Sequence, residues 1–148
     1  MMGQQELAVR RLRMKKVFIV AASILWGGLV HADNLEGVDE MICAASQVQI
    51  CIERDTCYDA SPEDLDVPAF VIIDTDEKTI STTKASNLNR STKFNLVSKE
   101  DGLIYLQGIE GGRAFSFVID ELTGHMTVAV SRDGIAVSVF GSCTTTDF

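Results

Sequence analysis

The stretch RAFSFVIDELTGHMTVAVSRDGIAVSVF, residues 113–140, decides the fold. Phe115, Phe117 and Ile119 alternate with Ala114, Ser116 and Val118. Met126, Val128 and Val130 alternate with Thr127, Ala129 and Ser131. Ile135, Val137 and Val139 alternate with Ala136, Ser138 and Phe140. A period of two, rich in β-branched and aromatic residues, is the pattern of strands with one buried face. Between the runs stand Asp120-Glu121-Leu122-Thr123-Gly124 and Asp133-Gly134, which carry turn chemistry. Connections this short force antiparallel neighbours, because a parallel crossover needs about a dozen residues.

The same pattern extends toward the N-terminus. Val48, Ile50 and Ile52 alternate with Gln47, Gln49 and Cys51, and Phe70 and Ile72 with Val71 and Ile73. Further turn signals are Asp74-Thr75-Asp76-Glu77, Glu100-Asp101-Gly102 and Glu110-Gly111-Gly112. The reading gives about eight strands, near 46–53, 69–74, 78–83, 93–99, 103–108, 113–119, 125–131 and 135–142. Residues 84–92 are polar and read as a loop. Ser61-Pro62-Glu63-Asp64 has a cap residue, then Pro at the first helical position, then acids, and predicts a single helical turn. The expected fold is all-β: an antiparallel meander closed as a small barrel or folded as a sandwich, since either buries one face and manages the edges.

Ahead of this domain lies an export signal. Arg10, Arg11, Arg13, Lys15 and Lys16 precede a run from Val17 to Val30 that holds no charge. Val30-His31-Ala32 then offers an A-x-A-like cleavage site. The apolar run of 14 residues spans about 21 Å as a helix, short of a hydrocarbon core of roughly 30 Å. Residues 1–32 are therefore expected to be a signal peptide and 33–148 one exported domain, with no stable membrane anchor after cleavage. Met14-Lys15-Lys16 would itself open such a signal.

All four cysteines, Cys43, Cys51, Cys57 and Cys143, fall in the exported part. An even count in an exported chain reads as two disulfides. Three pairings exist. The favoured one joins Cys51 to Cys57 around a polar turn, leaving Cys43 with Cys143. On the chain-entropy account, closing a loop of 100 residues removes about 4.7 kcal/mol of unfolded-state entropy. The spacings lack C-x2-C, so neither zinc nor a catalytic dithiol is expected.

The full chain has 13 basic and 21 acidic residues, a formal charge of −8. Residues 33–148 alone hold 8 basic and 20 acidic residues, giving −12. All of that excess sits in residues 33–77, with 13 acids and only Arg54 as a base. Such a balance argues against nucleic acid, whose phosphates need a basic stripe. It suits encounter with a basic protein partner.

Beyond Gly102 every charged residue lies in or beside a turn, or in the tail. The second face of the strands is small or hydroxylic: Ala114, Ser116, Thr127, Ala129, Ala136 and Ser138. That face is expected either to dock on a partner or a second copy, or to be half-buried within a sandwich. His125 opens a strand after a Gly turn and is expected to be an exposed polar residue. No G-x-S-x-G, phosphate loop or dinucleotide fingerprint occurs, so neither catalytic residues nor a cofactor are expected. Asp74-x-Asp76 lacks the third oxygen residue and the glycine of an EF-hand loop, and no metal is expected there.

Leu106-Gln107-Gly108, Ile119-Asp120-Glu121-Leu122-Thr123-Gly124 and Phe140-Gly141-Ser142-Cys143 together are similar to a pattern in small exported proteobacterial proteins of uncharacterised function. The resemblance spans about half of residues 33–148 and implies fold and export rather than an activity. A more distant analogy is to the periplasmic lysozyme inhibitors, small disulfide-tied antiparallel barrels. Their Ser-Gly-x-x-Tyr loop is not matched: Gly102 and Tyr105 are present, but Asp101 stands where the Ser would be. No inhibitory residue is carried over. The lipocalin G-x-W signature is also missing.

These features give a non-enzymatic exported binding or accessory protein of the cell envelope as the first expectation. The second is a small-molecule carrier using a barrel interior, which requires a hollow lined by strand residues and is excluded by a solid core. A carboxylate-dependent hydrolase comes third.

Overall fold

The computed structural model describes residues 34–65 and 68–146. Residues 1–32, expected from the sequence to be a signal peptide, lie outside the described residues. The domain is all-β, as expected. Its strands are β1 (Glu40–Ile52), β2 (Cys57–Ala60), β3 (Phe70–Asp74), β4 (Thr79–Thr82) and β5 (Ser91–Lys93), then β6 (Leu96–Glu100), β7 (Leu103–Glu110), β8 (Arg113–Asp120), β9 (His125–Arg132) and β10 (Ile135–Thr145). Two single 3-10 turns, Pro62–Leu65 and Lys84–Ser86, punctuate the connections. The first is the single turn expected at Ser61-Pro62-Glu63-Asp64, and there Asp64 reaches back to accept hydrogen bonds from the Ser61 N–H and hydroxyl, at 2.9 and 3.0 Å.

One antiparallel sheet contains every strand. Nine follow the order β5-β4-β3-β1-β10-β9-β8-β7-β6, and β2 pairs with the far half of β1. The sandwich alternative is thereby set aside. The end strands β5 and β6 are chain neighbours, with only Phe94 and Asn95 between them. The Phe94 N–H donates to Lys78 O at 2.8 Å, and the Asn95 N–H to Gln107 O at 2.7 Å. One short segment thus serves both margins of the sheet, which curls into a half-barrel. This is how the fold manages its edges.

The strand ends follow from local chemistry. Asp101-Gly102 and Gly111-Gly112 all have positive φ, the requirement of the primed two-residue hairpin turn. A bulge at Ser46 interrupts β1 between Ala45 and Gln47, and the Ser46 hydroxyl donates to Phe140 O at 3.1 Å. The bulge switches the buried parity of β1 from Met41 and Cys43 to Val48 and Ile50. Both disulfides join directly opposed residues: Cys43 with Cys143 across β1–β10, and Cys51 with Cys57 across β1–β2. The favoured pairing is the one found.

Burial is deepest toward one end of the half-barrel. There Met41, Ile73, Ile104, Leu106 and Ile119 are fully buried. Leu35, ahead of β1, is also fully buried and plugs this end; its N–H donates to Glu121 O at 2.6 Å. The β3–β4, β6–β7 and β8–β9 turns share this closed end. The β7–β8 and β9–β10 turns lie at the opposite end.

Candidate functional site

Registers of neighbouring strands sort the concave face into rungs. One runs Val48, Val139, Val128, Phe117, Leu106 and Val97 across six strands. The next, toward the open end, runs Ile50, Val137, Val130, Phe115 and Gly108. Phe94, Phe115 and Phe117 make three edge-to-face contacts, with ring centroids 5.8 to 6.1 Å apart. The Phe115 ring lies over Gly108, where a Cβ would collide with it. Glycine at that position lets the aromatic wall lie flat against β7.

Above these rungs the core stops and two adjoining hollows open. One, of about 310 Å³, is walled by Val71, Ile80, Phe115, Phe117, Val128 and Val130, with Thr82, Thr92, Arg90, Glu110 and Arg113 around it. The other, of about 290 Å³, lies between Ile50, Ile52, Tyr58, Ile135, Val137 and Val139, with Arg113, Arg132 and Asp64 beside it. Leu65, Arg113 and Val130 line both. The volumes sit at the small end of ligand sites, which run from about 300 to 1,000 Å³. Apolar walls with a few polar groups at the mouth are also typical of such sites.

The outermost concave rung carries the charge. It runs Ile52, Ile135, Arg132, Arg113 and Glu110. Arg113 lies one step beyond the Ala114–Ser131 pair, and that step sets it opposite Arg132. Three of the four arginines in the described residues, Arg90, Arg113 and Arg132, line the hollows. The fourth, Arg54, is paired with Glu53 at 3.5 Å. These residues escaped the sequence reading, which placed Arg113 and Arg132 only beside turns. Their parity was the available signal: Arg113 stands two residues before Phe115, and Arg132 two after Val130.

The six residues of the small second face come together on the convex side. Ser116, Ala129 and Ser138 form one rung, and Ala114, Ser131 and Ala136 the next. Thr127 stands between Val118 and Phe140. Ala114, Thr127, Ala129 and Ala136 are exposed, while Ser116 and Ser138 are half-buried. The patch is uncharged and continuous.

His125 is exposed at the start of β9, opposite Ser142, and its N–H donates to Thr123 Oγ1 at 3.3 Å. Asp74 Oδ1 accepts the Glu77 N–H at 2.8 Å, closing the β3–β4 turn. Among the described residues no group of three or more His, Cys, Asp or Glu is placed to hold a metal ion. No described helix is long and apolar enough to cross a membrane.

Three carboxylates at turns are held below the ordinary range. Asp39 accepts from Lys99 Nζ at 3.0 Å and from the Thr75 hydroxyl, and both lower it. Asp64 is lowered by the Ser61 N–H and hydroxyl. Asp120 is lowered first by the Thr123 N–H, then by the Thr123 hydroxyl, with the Leu122 N–H adding to it. Asp64 and Asp120 brace turns, Asp39 ties Thr75 and Lys99 to the start of β1, and only Asp64 lines a hollow.

No family model, curated protein or solved structure matches the chain. Fold and hollow together define a structural class: a disulfide-tied half-barrel, solid at one end and hollow at the other.

Proposed function

We propose that this is an exported, non-enzymatic binding protein that holds a small apolar molecule in the open end of its half-barrel. The observation that carries this reading is the hollow of about 310 Å³, walled by Phe115, Phe117, Val128 and Val130. A core packed to ordinary density would have filled that space with side chains. Export to the periplasm or beyond rests on the basic-then-apolar segment 10–30 and on two disulfides, which persist in oxidising compartments. The likeness to small exported proteobacterial proteins belongs to the same reading.

Titration of the purified protein with an uncharged naphthylamine dye tests it. The expected result is saturable one-to-one binding that Val130→Trp abolishes by filling the hollow. Ala129→Trp, on the convex face, leaves binding intact. Absence of saturable binding, or wild-type binding by Val130→Trp, would sink the reading.

A second reading has its own support. Glu36, Asp39, Glu40, Asp74, Asp76 and Glu77 gather at the closed end. That acidic end is suited to a basic protein partner. Binding of a lysine-rich peptide should then weaken when Asp74, Asp76 and Glu77 are all changed to neutral amides.

A further inference from the structure

We infer that the ligand of the hollow is an amphipathic monocarboxylate, its chain against the Phe115–Val130 wall and its head between Arg113 and Arg132. This rests on the proposed ligand site and adds the chemistry of what fills it. Carried one step past the Ala114–Ser131 pair, the β8–β9 register sets Arg113 opposite Arg132, and both follow the concave parity. Like charges directly opposed across a ladder destabilise a sheet. Neither guanidinium has an ion pair or hydrogen bond among the described residues, although Glu110 stands opposite Arg113 in the β7–β8 ladder. In a domain of charge −12, counter-ions are abundant, yet this pair stands without one. An anion between them would turn the repulsion into two attractions. The planar guanidinium fork matches a carboxylate through paired N–H donors.

The carboxylates at the mouth limit the charge of the head group. Glu110 and Asp64 line the hollows together with Arg113 and Arg132, and their two negative charges disfavour a second charge on the ligand. A carboxylate brings one, whereas a phosphate monoester is near −2. The apolar walls below the arginines require that the rest of the ligand be a hydrocarbon chain or ring.

Calorimetric titrations with decanoate, decanol, decylammonium and decyl phosphate test this. The expected order puts decanoate first, at least about tenfold tighter than decanol, since a hydrogen bond to a charged group contributes more than that factor. The double variant Arg113→Gln, Arg132→Gln should bring decanoate down to the decanol level and leave decanol unchanged. Its melting temperature without ligand should be equal to or above wild type, because a like-charge pair has gone. Decanol binding as tightly as decanoate would overturn the inference and leave the hollow as a ligand site. Tighter binding of decyl phosphate would also overturn it. If none of the four binds, the ligand-site reading itself fails. A double variant that melts lower yet keeps its preference for decanoate would make the arginines structural and refute their role.

Discussion

The β8–β9 register, carried one step past the Ala114–Ser131 pair, sets Arg113 opposite Arg132 on the concave side, and neither side chain is ion-paired among the described residues. Such a pair lowers the stability of the empty domain. Proteins keep arrangements of that kind where a site needs them. Reversing one charge should therefore stabilise the protein. Arg132→Glu should gain about 0.5 kcal/mol in thermal melts at low salt, and the gain should shrink at high salt. A lowered melting temperature would show that the two arginines do not repel.

The Cys43–Cys143 bridge closes a loop with a sequence separation of 100, and Cys51–Cys57 one of 6. Removing the first with Cys43→Ala and Cys143→Ala should cost about 2–5 kcal/mol in urea unfolding. Removing the second should cost less, about 2 kcal/mol on the chain-entropy account. Equal losses would contradict the view that the long bridge sets the stability of the fold.

Leu35 is the plug of the closed end, fully buried and anchored through its N–H to Glu121. Leu35→Ala should destabilise by about 2–5 kcal/mol, the range for emptying a buried leucine site. A loss below 0.5 kcal/mol, roughly the size of a surface change, would place Leu35 outside the core.

Gly141 lies opposite the β1 bulge, where an added Cβ would meet the Ala44 carbonyl oxygen and the Met126 side chain. The carbonyl is backbone and cannot rotate aside. Gly141→Ala should therefore destabilise by about 1–3 kcal/mol through overpacking. Amide exchange should quicken in β1 and β10 together.

Much of this fold was legible in period-two alternation, which placed Phe115, Phe117, Val128 and Val130 on one face and Ala129 and Ser138 on the other. Four features were not. β1 begins at Glu40 rather than near residue 46, because the bulge at Ser46 switches parity and breaks the alternation. β2 and β5 are too short to show a period, at 4 and 3 residues, and pairing with a neighbour makes them strands. Leu35 is a lone apolar residue between Asn34 and Glu36, and only the curled sheet gives it a hole to fill. The opposition of Arg113 and Arg132 depends on register across the Glu121–Gly124 connection, which residue type alone does not fix.

Acid should weaken the turns in a defined order of sign. Asp39, Asp64 and Asp120 have carboxyls held below their ordinary value of 3.8 by hydrogen bonds in the folded state. Lowered folded values mean stability that is fully present above about pH 4–5 and lost as pH falls through them. Urea midpoints should hold steady through the neutral range and fall below pH 4, the ordinary carboxylate region. Asp120→Asn should flatten part of that fall. A midpoint that rises on acidification would contradict these pairings.

The central claim is that the open end of the half-barrel holds a ligand. Amide shift mapping by heteronuclear NMR during a decanoate titration tests it most directly. The account predicts saturating shifts at Val71, Ile80, Phe115 and Val130, with Ala129 and Ser138 on the convex face unmoved. Shifts confined to the convex face, or no saturating shift anywhere, would contradict it.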